Sequence, residues 1–301
     1  MAKLAKRPAK AHRKYTWGNF FIGLFILAFS LVCLLPMVLT VIVSFTDERA
    51  IMRNGYSFFP EQFSTYAYEL MFNRGSSVIQ GYLVSIFVTV VGTLSAVLIT
   101  GLAAYTLANK NVKYRNVLGM YFFIPMVFGA GIVPWYLMCT ALNLRNNIFA
   151  LLIPNLLFNT FNLFLVRNFM SGLPDELRES ATIDGANDAV IAFRIYFPLS
   201  VPGLATVALF YGLAYWNDWT NAQYYISDSR MLSVQALLNR MVQDIQALLA
   251  NSSANSGSLM QTPQVSIRMA IAFVAMIPIL ILYPFLQKYF ADGIMLGAVK
   301  G

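Results

Sequence analysis

Six long apolar runs, separated by polar segments, dominate the chain. They cover residues 17–45, 81–107, 117–142, 148–166, 199–219 and 269–290. Each approaches or exceeds the ~20 residues that a helix needs to cross a hydrocarbon core ~30 Å thick. None alternates apolar and polar positions with the period of two expected of barrel strands, and several contain the glycines and prolines that membrane helices tolerate. The pattern predicts an all-α polytopic membrane protein with six transmembrane helices in a single domain, residues 17–301.

The overall composition agrees with this pattern. Hydrophobic residues make up 58% of the 301 positions and charged residues 11%, whereas about 25% of the residues in an ordinary soluble domain are charged. These values exclude a water-soluble globular protein. Residues 1–16, before the first apolar run, form a short basic tail.

The positions of Lys and Arg predict the orientation in the membrane. With six spans, 14 of the 21 basic residues fall on the side that carries both termini and the loop 171–198. Loops rich in Lys and Arg stay on the cytoplasmic side. We therefore expect cytoplasmic N- and C-termini and two long outward loops, 46–80 and 220–268. The net charge of +8 then reflects topology, and no nucleic-acid partner is expected.

The loop 171–198 is polar and rich in small residues, unlike the runs around it. Pro174 precedes acidic residues that suit the first turn of a helix. A glycine at 185 then interrupts the helical pattern, and prolines at 198 and 202 lead into the next run. The sequence predicts two short helices joined at Gly185, with small side chains that let another protein approach closely.

Glu179-Ser180-Ala181 is followed after three residues by Gly185, after nine more by Ile195, and after one more by Phe197-Pro198. This spacing resembles the EAA loop of bacterial ABC importer permeases, which docks on an ATPase. Ser180 and Phe197 depart mildly from the usual residues of that motif. An amphipathic helix on the inner membrane surface is the alternative, but such a helix is Lys/Arg-rich, and acidic residues outnumber basic ones here. The positions assigned to ATPase coupling by this resemblance are Glu179, Ser180, Ala181, Asp184, Gly185, Ala186, Ile195 and Pro198.

The chain as a whole is similar to carbohydrate ABC importer permeases of the maltose-permease class, specifically their shorter six-span partner. The likeness includes the segment AYWNDW at 214–219 and the ending YPFLQKYFADGIMLGAVKG. It implies the type I ABC importer permease fold in the bacterial cytoplasmic (inner) membrane. The loops and the ending most resemble permeases for oligosaccharides from plant or algal polysaccharides, including uronate-containing ones such as alginate.

The same resemblance implies a set of partners and a mechanism. A second permease would complete a heterodimer, an ATPase homodimer would bind ATP and Mg, and an extracytoplasmic sugar-binding protein would deliver the oligosaccharide for ATP-driven alternating access. The chain contains no G-x-x-x-x-G-K-[ST] segment, the loop that holds nucleotide phosphates. We therefore expect a lipid-embedded transport subunit and not an enzyme, with no catalytic residue and no cofactor of its own.

Polar side chains inside the apolar runs are candidates for the substrate path, because such groups are costly in lipid unless they face protein or water. Asn155, Asn159 and Asn162 are spaced i, i+4, i+7, which predicts one shared helical face. Aromatic rings beside amides suit sugars, whose C–H faces stack and whose hydroxyls need hydrogen-bond partners. Hydrogen bonds between helices explain the same residues without a substrate. The second candidate cluster is Tyr211, Tyr215, Trp216, Asn217, Asp218 and Thr220.

The third run contains Pro125 and Pro134 with two glycines between them. An interior proline removes a backbone hydrogen bond, so the sequence predicts a kinked helix. The kink either serves as a gate hinge or only shapes the bundle.

Two other functional classes fit less well. An ion-coupled carrier would carry ionisable residues near mid-membrane, and no apolar run has one near its centre. A membrane-embedded enzyme would need a reactive cluster at membrane depth, but Cys33 and Cys139 are isolated. His12 stands alone in the basic tail, so no metal site is expected.

Overall fold

A computed structural model describes residues 17–73, 76–251 and 265–298, and these are helical almost throughout. Within these ranges there is no strand, only an isolated bridge between Thr46 and Phe63. The all-α prediction is therefore confirmed for the described part of the chain. The basic tail 1–16 and part of the loop 220–268 lie outside the described residues.

The chain divides into two compact units, the first formed by the described residues within 1–67 and 263–273. It contains α1 (Trp17–Ser44) and α2 (Glu48–Asn54). The helix α15 (Val265–Ala298) begins in this unit. The Glu48 carboxylate accepts hydrogen bonds from the backbone N–H groups of Val265 and Ser266 at 2.9 and 3.0 Å. Glu48 therefore binds the N-terminal end of α15, where backbone N–H groups lack helical partners.

The second unit is built around the long helix α4 (Ser76–Ala108), which packs along α12 (Val201–Asn217) and α8 (Thr160–Ser171). The other helices between α2 and α12 are α3 (Tyr66–Asn73), α5 (Arg115–Val127), α6 (Ile132–Ala141), α7 (Phe149–Leu152), α9 (Glu176–Ile183), α10 (Asp188–Ile191) and α11 (Phe197–Leu199). Beyond α12 come α13 (Thr220–Tyr225) and α14 (Val234–Asn251).

Glycines let aromatic side chains sit directly against the neighbouring helix in this unit. A Cβ on Gly92 of α4 would lie 2.4 Å from Cζ of Tyr215, and one on Gly203 of α12 would lie 2.7 Å from the Phe169 ring. The Tyr215 hydroxyl also donates to the Leu152 carbonyl at 2.7 Å. The ring of Tyr215 is thus held between α4 and the segment around α7.

We expect Gly92→Ala to destabilise the protein, because the added methyl displaces a buried ring fixed by its own hydrogen bond. Overpacking of this kind costs about 1–3 kcal/mol. Thermal unfolding of the purified protein in detergent measures the effect as a lower melting temperature. Gly119→Ala is the matched control, since a Cβ at Gly119 meets nothing within 4 Å. Equal melting temperatures for both variants would contradict this account of the packing.

The predicted third and fourth spans are not continuous helices. The pair α5 and α6 is bent by 114° at a break over residues 128–131. Gly131 there has φ +79°, a conformation that glycine adopts without strain. The kink predicted from the prolines is therefore a complete break.

The predicted common face of the three asparagines is wrong. Asn155 has φ +60° and lies between α7 and α8. Asn159 is the N-cap of α8, its side chain accepting from the backbone N–H of Asn162 at 3.2 Å. Pro154 has no N–H to continue α7, and an asparagine in the left-handed region ends a helix. The chain therefore turns at these residues.

Two described helices, α1 and α4, are each long and apolar enough to cross a membrane. The number rises to four if each bent pair, α5 with α6 and α10–α11 with α12, forms one broken span. The described side chains of α15 form a shorter apolar stretch, Val265–Ile281. The count of six spans stays a prediction.

Candidate functional site

The predicted loop 171–198 contains two short helices that meet at a glycine. Helix α9 ends at Ile183, Gly185 turns the chain with φ +80°, and α10 begins at Asp188. A π-helical turn, Ala192–Tyr196, and α11 then lead to α12. We call residues 176–199 the coupling elbow. A left-handed backbone at Gly185 is unfavourable for other residues, which explains the glycine although nothing lies within 4 Å of a Cβ built there.

The elbow has an exposed tip. Ile183 is 86% exposed, among the highest values for the large apolar side chains that the structure describes. Most of the eight predicted coupling residues are exposed; Ala186 and Ile195 are half-buried, and Ala181 is buried. The described contacts include no hydrogen bond or ion pair from the Glu179 side chain, so its carboxylate is available to a partner. The exposed coupling residues are Glu179, Ser180, Asp184, Gly185 and Pro198.

The base of the elbow is fixed by Arg178, whose role the sequence did not indicate. Arg178 is 8% exposed. Its Nη2 donates to the Tyr105 hydroxyl at 2.5 Å and to Asp188 Oδ1 at 2.7 Å. Its guanidinium carbon also lies 5.1 Å from the centroid of the Tyr105 ring. Arg178 therefore joins α9 to α10 and both to the end of α4.

Two further contacts surround this arginine. The Tyr105 hydroxyl donates to Asp188 Oδ1 at 2.9 Å, and the Tyr105 ring meets that of Tyr196 edge-on, with centroids 5.1 Å apart. Lys110, just beyond α4, forms an ion pair with Asp175, just before α9. The hydrogen bonds from Tyr105 and Arg178 hold the pKa of the Asp188 carboxyl below its ordinary value. Asp188 therefore stays ionised and keeps its pair with Arg178 at neutral pH.

The substrate-path candidates fall into two groups. Asn155 and Asn159 border a cleft of about 800 Å³ that lies between the α5–α6 break and the α7–α8 turn. They also border a neighbouring cleft of about 380 Å³, together with Asn162 and Tyr211. Tyr211 is buried, and its hydroxyl pairs with that of Thr100 at 2.7 Å. The structure thus brings the asparagines together by a turn, not by a helical face.

The remaining candidates make structural contacts. Buried Trp216 donates from Nε1 to the Ala275 carbonyl at 3.3 Å. Asp218 Oδ1 accepts from the backbone N–H groups of Thr220 and Asn221 at the start of α13. Asn217 donates to the carbonyl one turn earlier in α12. Tyr215 and Trp216 therefore hold helices together, whereas Asn217 bonds within α12 and Asp218 caps the start of α13.

Aromatic residues that sequence reasoning did not select complete the larger cleft. They are Phe128, Trp135, Phe158 and Phe161. Their signal in the sequence was weak, because aromatic residues are common throughout this chain.

Known proteins resemble this chain over nearly its whole length, although no protein-family model matches it. The polygalacturonan/rhamnogalacturonan transport system permease protein YtcP of Bacillus subtilis (strain 168) is 37% identical over 277 residues, which are 92% of this chain and 96% of that protein. Protein LplC of the same organism is 38% identical over 273 residues, 90% of each chain. The chain belongs to the carbohydrate ABC transporter permeases.

A solved structure extends this result to the fold. The crystal structure of a bacterial ABC transporter involved in the import of the acidic polysaccharide alginate contains a chain 28% identical to this one. The match covers 92% of this carbohydrate permease and 99% of that chain, with a TM-score of 0.77. The protein is thus an integral membrane subunit of a sugar importer with the ABC importer permease fold. As a permease it is not an enzyme, and the family implies that a partner ATPase supplies the energy.

Proposed function

We propose that this permease imports acidic oligosaccharides, such as those released from uronate-containing polysaccharides. Two lines of similarity support this substrate class. YtcP carries polygalacturonan and rhamnogalacturonan in its name, and the transporter of known structure imports alginate. All three are acidic polymers, so the shared feature is the uronate residue.

The coupling elbow is the observation that carries the proposed mechanism. Its tip at Ile183 and Gly185 is exposed and would enter a groove of an ATPase, and its base is fixed to α4 by Arg178. Both properties are needed to transmit a movement of the ATPase to the spans, because a base not fixed to α4 would move without moving that helix. ATP binding to an ATPase homodimer would move the elbow and switch the spans between two packings.

The remaining partners follow from this assembly. A second permease forms the other half of the pathway, and an extracytoplasmic binding protein delivers the sugar on the side of the loops 46–80 and 220–268. The elbow and both termini then face the cytoplasm of a bacterium, and the subunit lies in the inner membrane.

The sugar passes the asparagines beside the clefts, since Tyr215 and Trp216 are buried in the packing between helices.

The assembled transporter in proteoliposomes tests this proposal. With its binding protein present, we expect oligogalacturonate to raise ATP hydrolysis and to accumulate inside the vesicles, whereas a neutral glucan of equal length is at least tenfold less effective, a difference of about 1.4 kcal/mol. Equal or stronger stimulation by the neutral glucan would contradict the substrate class. Accumulation that continues without ATP and collapses with an ionophore would instead indicate an ion-coupled carrier.

A further inference from the structure

We propose that the 800 Å³ cleft is a saccharide subsite that binds the sugar ring and its hydroxyls but not the carboxylate. We call it the saccharide cleft and define it by Trp135, Asn155, Phe158, Asn159 and Phe161. This inference rests on the proposed function and specifies what this subunit recognises. Its volume falls within the roughly 300–1,000 Å³ of typical small-molecule sites.

Both sides of the saccharide cleft are formed by broken helices. One side is the break at residues 128–131 between α5 and α6, and the other is the turn between α7 and α8. Non-helical backbone at membrane depth is tolerated only where it is buried in protein or lines a wet cavity. Two such breaks facing one cleft therefore indicate a space that is filled either by water or by the second permease, and discontinuous helices form the binding sites of many transporters.

The lining offers the two kinds of contact that a pyranose ring needs. Trp135 is 38% exposed and Phe161 55% exposed, so both rings are available for stacking against sugar C–H faces. The described hydrogen bonds include none from the Asn155 side chain or from Nδ2 of Asn159. The left-handed turn at Asn155 and the cap at Asn159 place these amides at the cleft, where they can meet hydroxyls.

The lining contains no charged side chain. Its other members are Pro125, Met126, Phe128, Gly129, Ala130, Gly131, Ile132 and Thr160. A uronate carboxylate in this cleft would find no cation among these residues, and burying an unpaired charge is costly. The carboxylate must therefore point towards water or the second permease. Selection for acidic sugars then depends on another component, while this subunit holds the ring.

A lipid chain fits the cleft poorly, because two asparagine amides would face hydrocarbon without partners. A helix of the second permease is the other possible occupant.

Cysteine labelling distinguishes a cleft filled by such a helix from a sugar site. In a background with Cys33→Ser and Cys139→Ser, we expect Asn155→Cys to react with a water-soluble thiol reagent and to be protected by saccharide during turnover. An unreactive cysteine in the assembled transporter, with or without sugar, would overturn the proposal.

Transport by tryptophan variants tests what the cleft recognises. We expect Trp135→Ala to lower the initial uptake rate of an oligogalacturonate and of its neutral methyl ester by a similar factor, about tenfold, and Trp135→Phe to retain most of the activity. Trp219→Ala is the matched control, since that side chain is 43% exposed but lies outside the cleft. Both substrates are loaded on the same binding protein, and uptake is divided by the amount loaded.

An effect of Trp135→Ala confined to the acidic substrate, or no effect on either substrate, would overturn the ring-binding role.

Asn155→Asp provides a second test. Loss of the amide donor should slow uptake of both the acidic oligosaccharide and its ester, and undiminished uptake of both would argue against a sugar at this position. Failure of the wild-type transporter to import acidic sugars would contradict the proposed function alone. The two tryptophan variants would then be measured with the neutral saccharide that is transported.

Discussion

Arg178→Ala is expected to abolish sugar-stimulated ATP hydrolysis while the ATPase still copurifies with the permease. The substitution leaves the exposed tip of the elbow intact but removes the group that joins α9, α10 and the end of α4. Each hydrogen bond to a charged group is worth about 1.5–3 kcal/mol. The loss of both, together with the contact to the Tyr105 ring, should reduce stimulated hydrolysis by tenfold or more. Hydrolysis with and without the loaded binding protein is the measurement.

Matched variants separate transmission from simple loss of folding. Arg178→Lys retains the charge but not the planar guanidinium that lies over the Tyr105 ring, so it should be intermediate. The charge exchange Arg178→Asp with Asp188→Arg should recover part of the stimulation lost in either single variant. Tyr105→Phe removes the two hydrogen bonds of the hydroxyl, to Arg178 and to Asp188, and keeps the ring. Full sugar stimulation in Arg178→Ala would contradict the role of Arg178 in transmission.

Ile183→Asp is expected to break the contact between permease and ATPase. The side chain is 86% exposed, so its replacement should change the stability of the permease alone by less than about 0.5 kcal/mol. A charge at an apolar docking point is costly once buried. We expect little ATPase to copurify with this variant, and sugar-dependent hydrolysis to be lost with it.

Two controls accompany this experiment. Ile183→Leu preserves the apolar contact and should retain the ATPase. Met52→Asp introduces the same charge at a 66% exposed apolar side chain on α2, in the loop expected to face outward. Normal recovery of the ATPase with Ile183→Asp, or equal loss with Met52→Asp, would argue against docking through the tip.

The local pattern of the sequence predicted the elbow well. The glycine at 185 and the prolines around it act within a few residues, so their conformational effect could be anticipated without tertiary contacts. The prediction of a continuous fourth helix was wrong for a related reason. Its apolar composition favoured a helix, but Pro154 and the capping asparagine at 159 stop one, and the i, i+4, i+7 spacing of the asparagines concealed this.

By itself, the sequence determined the membrane class, the helical content and the position of the two short helices joined at Gly185, because hydropathy, composition and short-range turn chemistry depend only on neighbouring residues. The tertiary structure alone decided that Arg178 meets Tyr105, 73 residues away. It also decided that two broken helices share one uncharged cleft. Contacts between distant segments depend on how helices pack, and this chain offers many nearly equivalent apolar faces, so its pattern could not select among them.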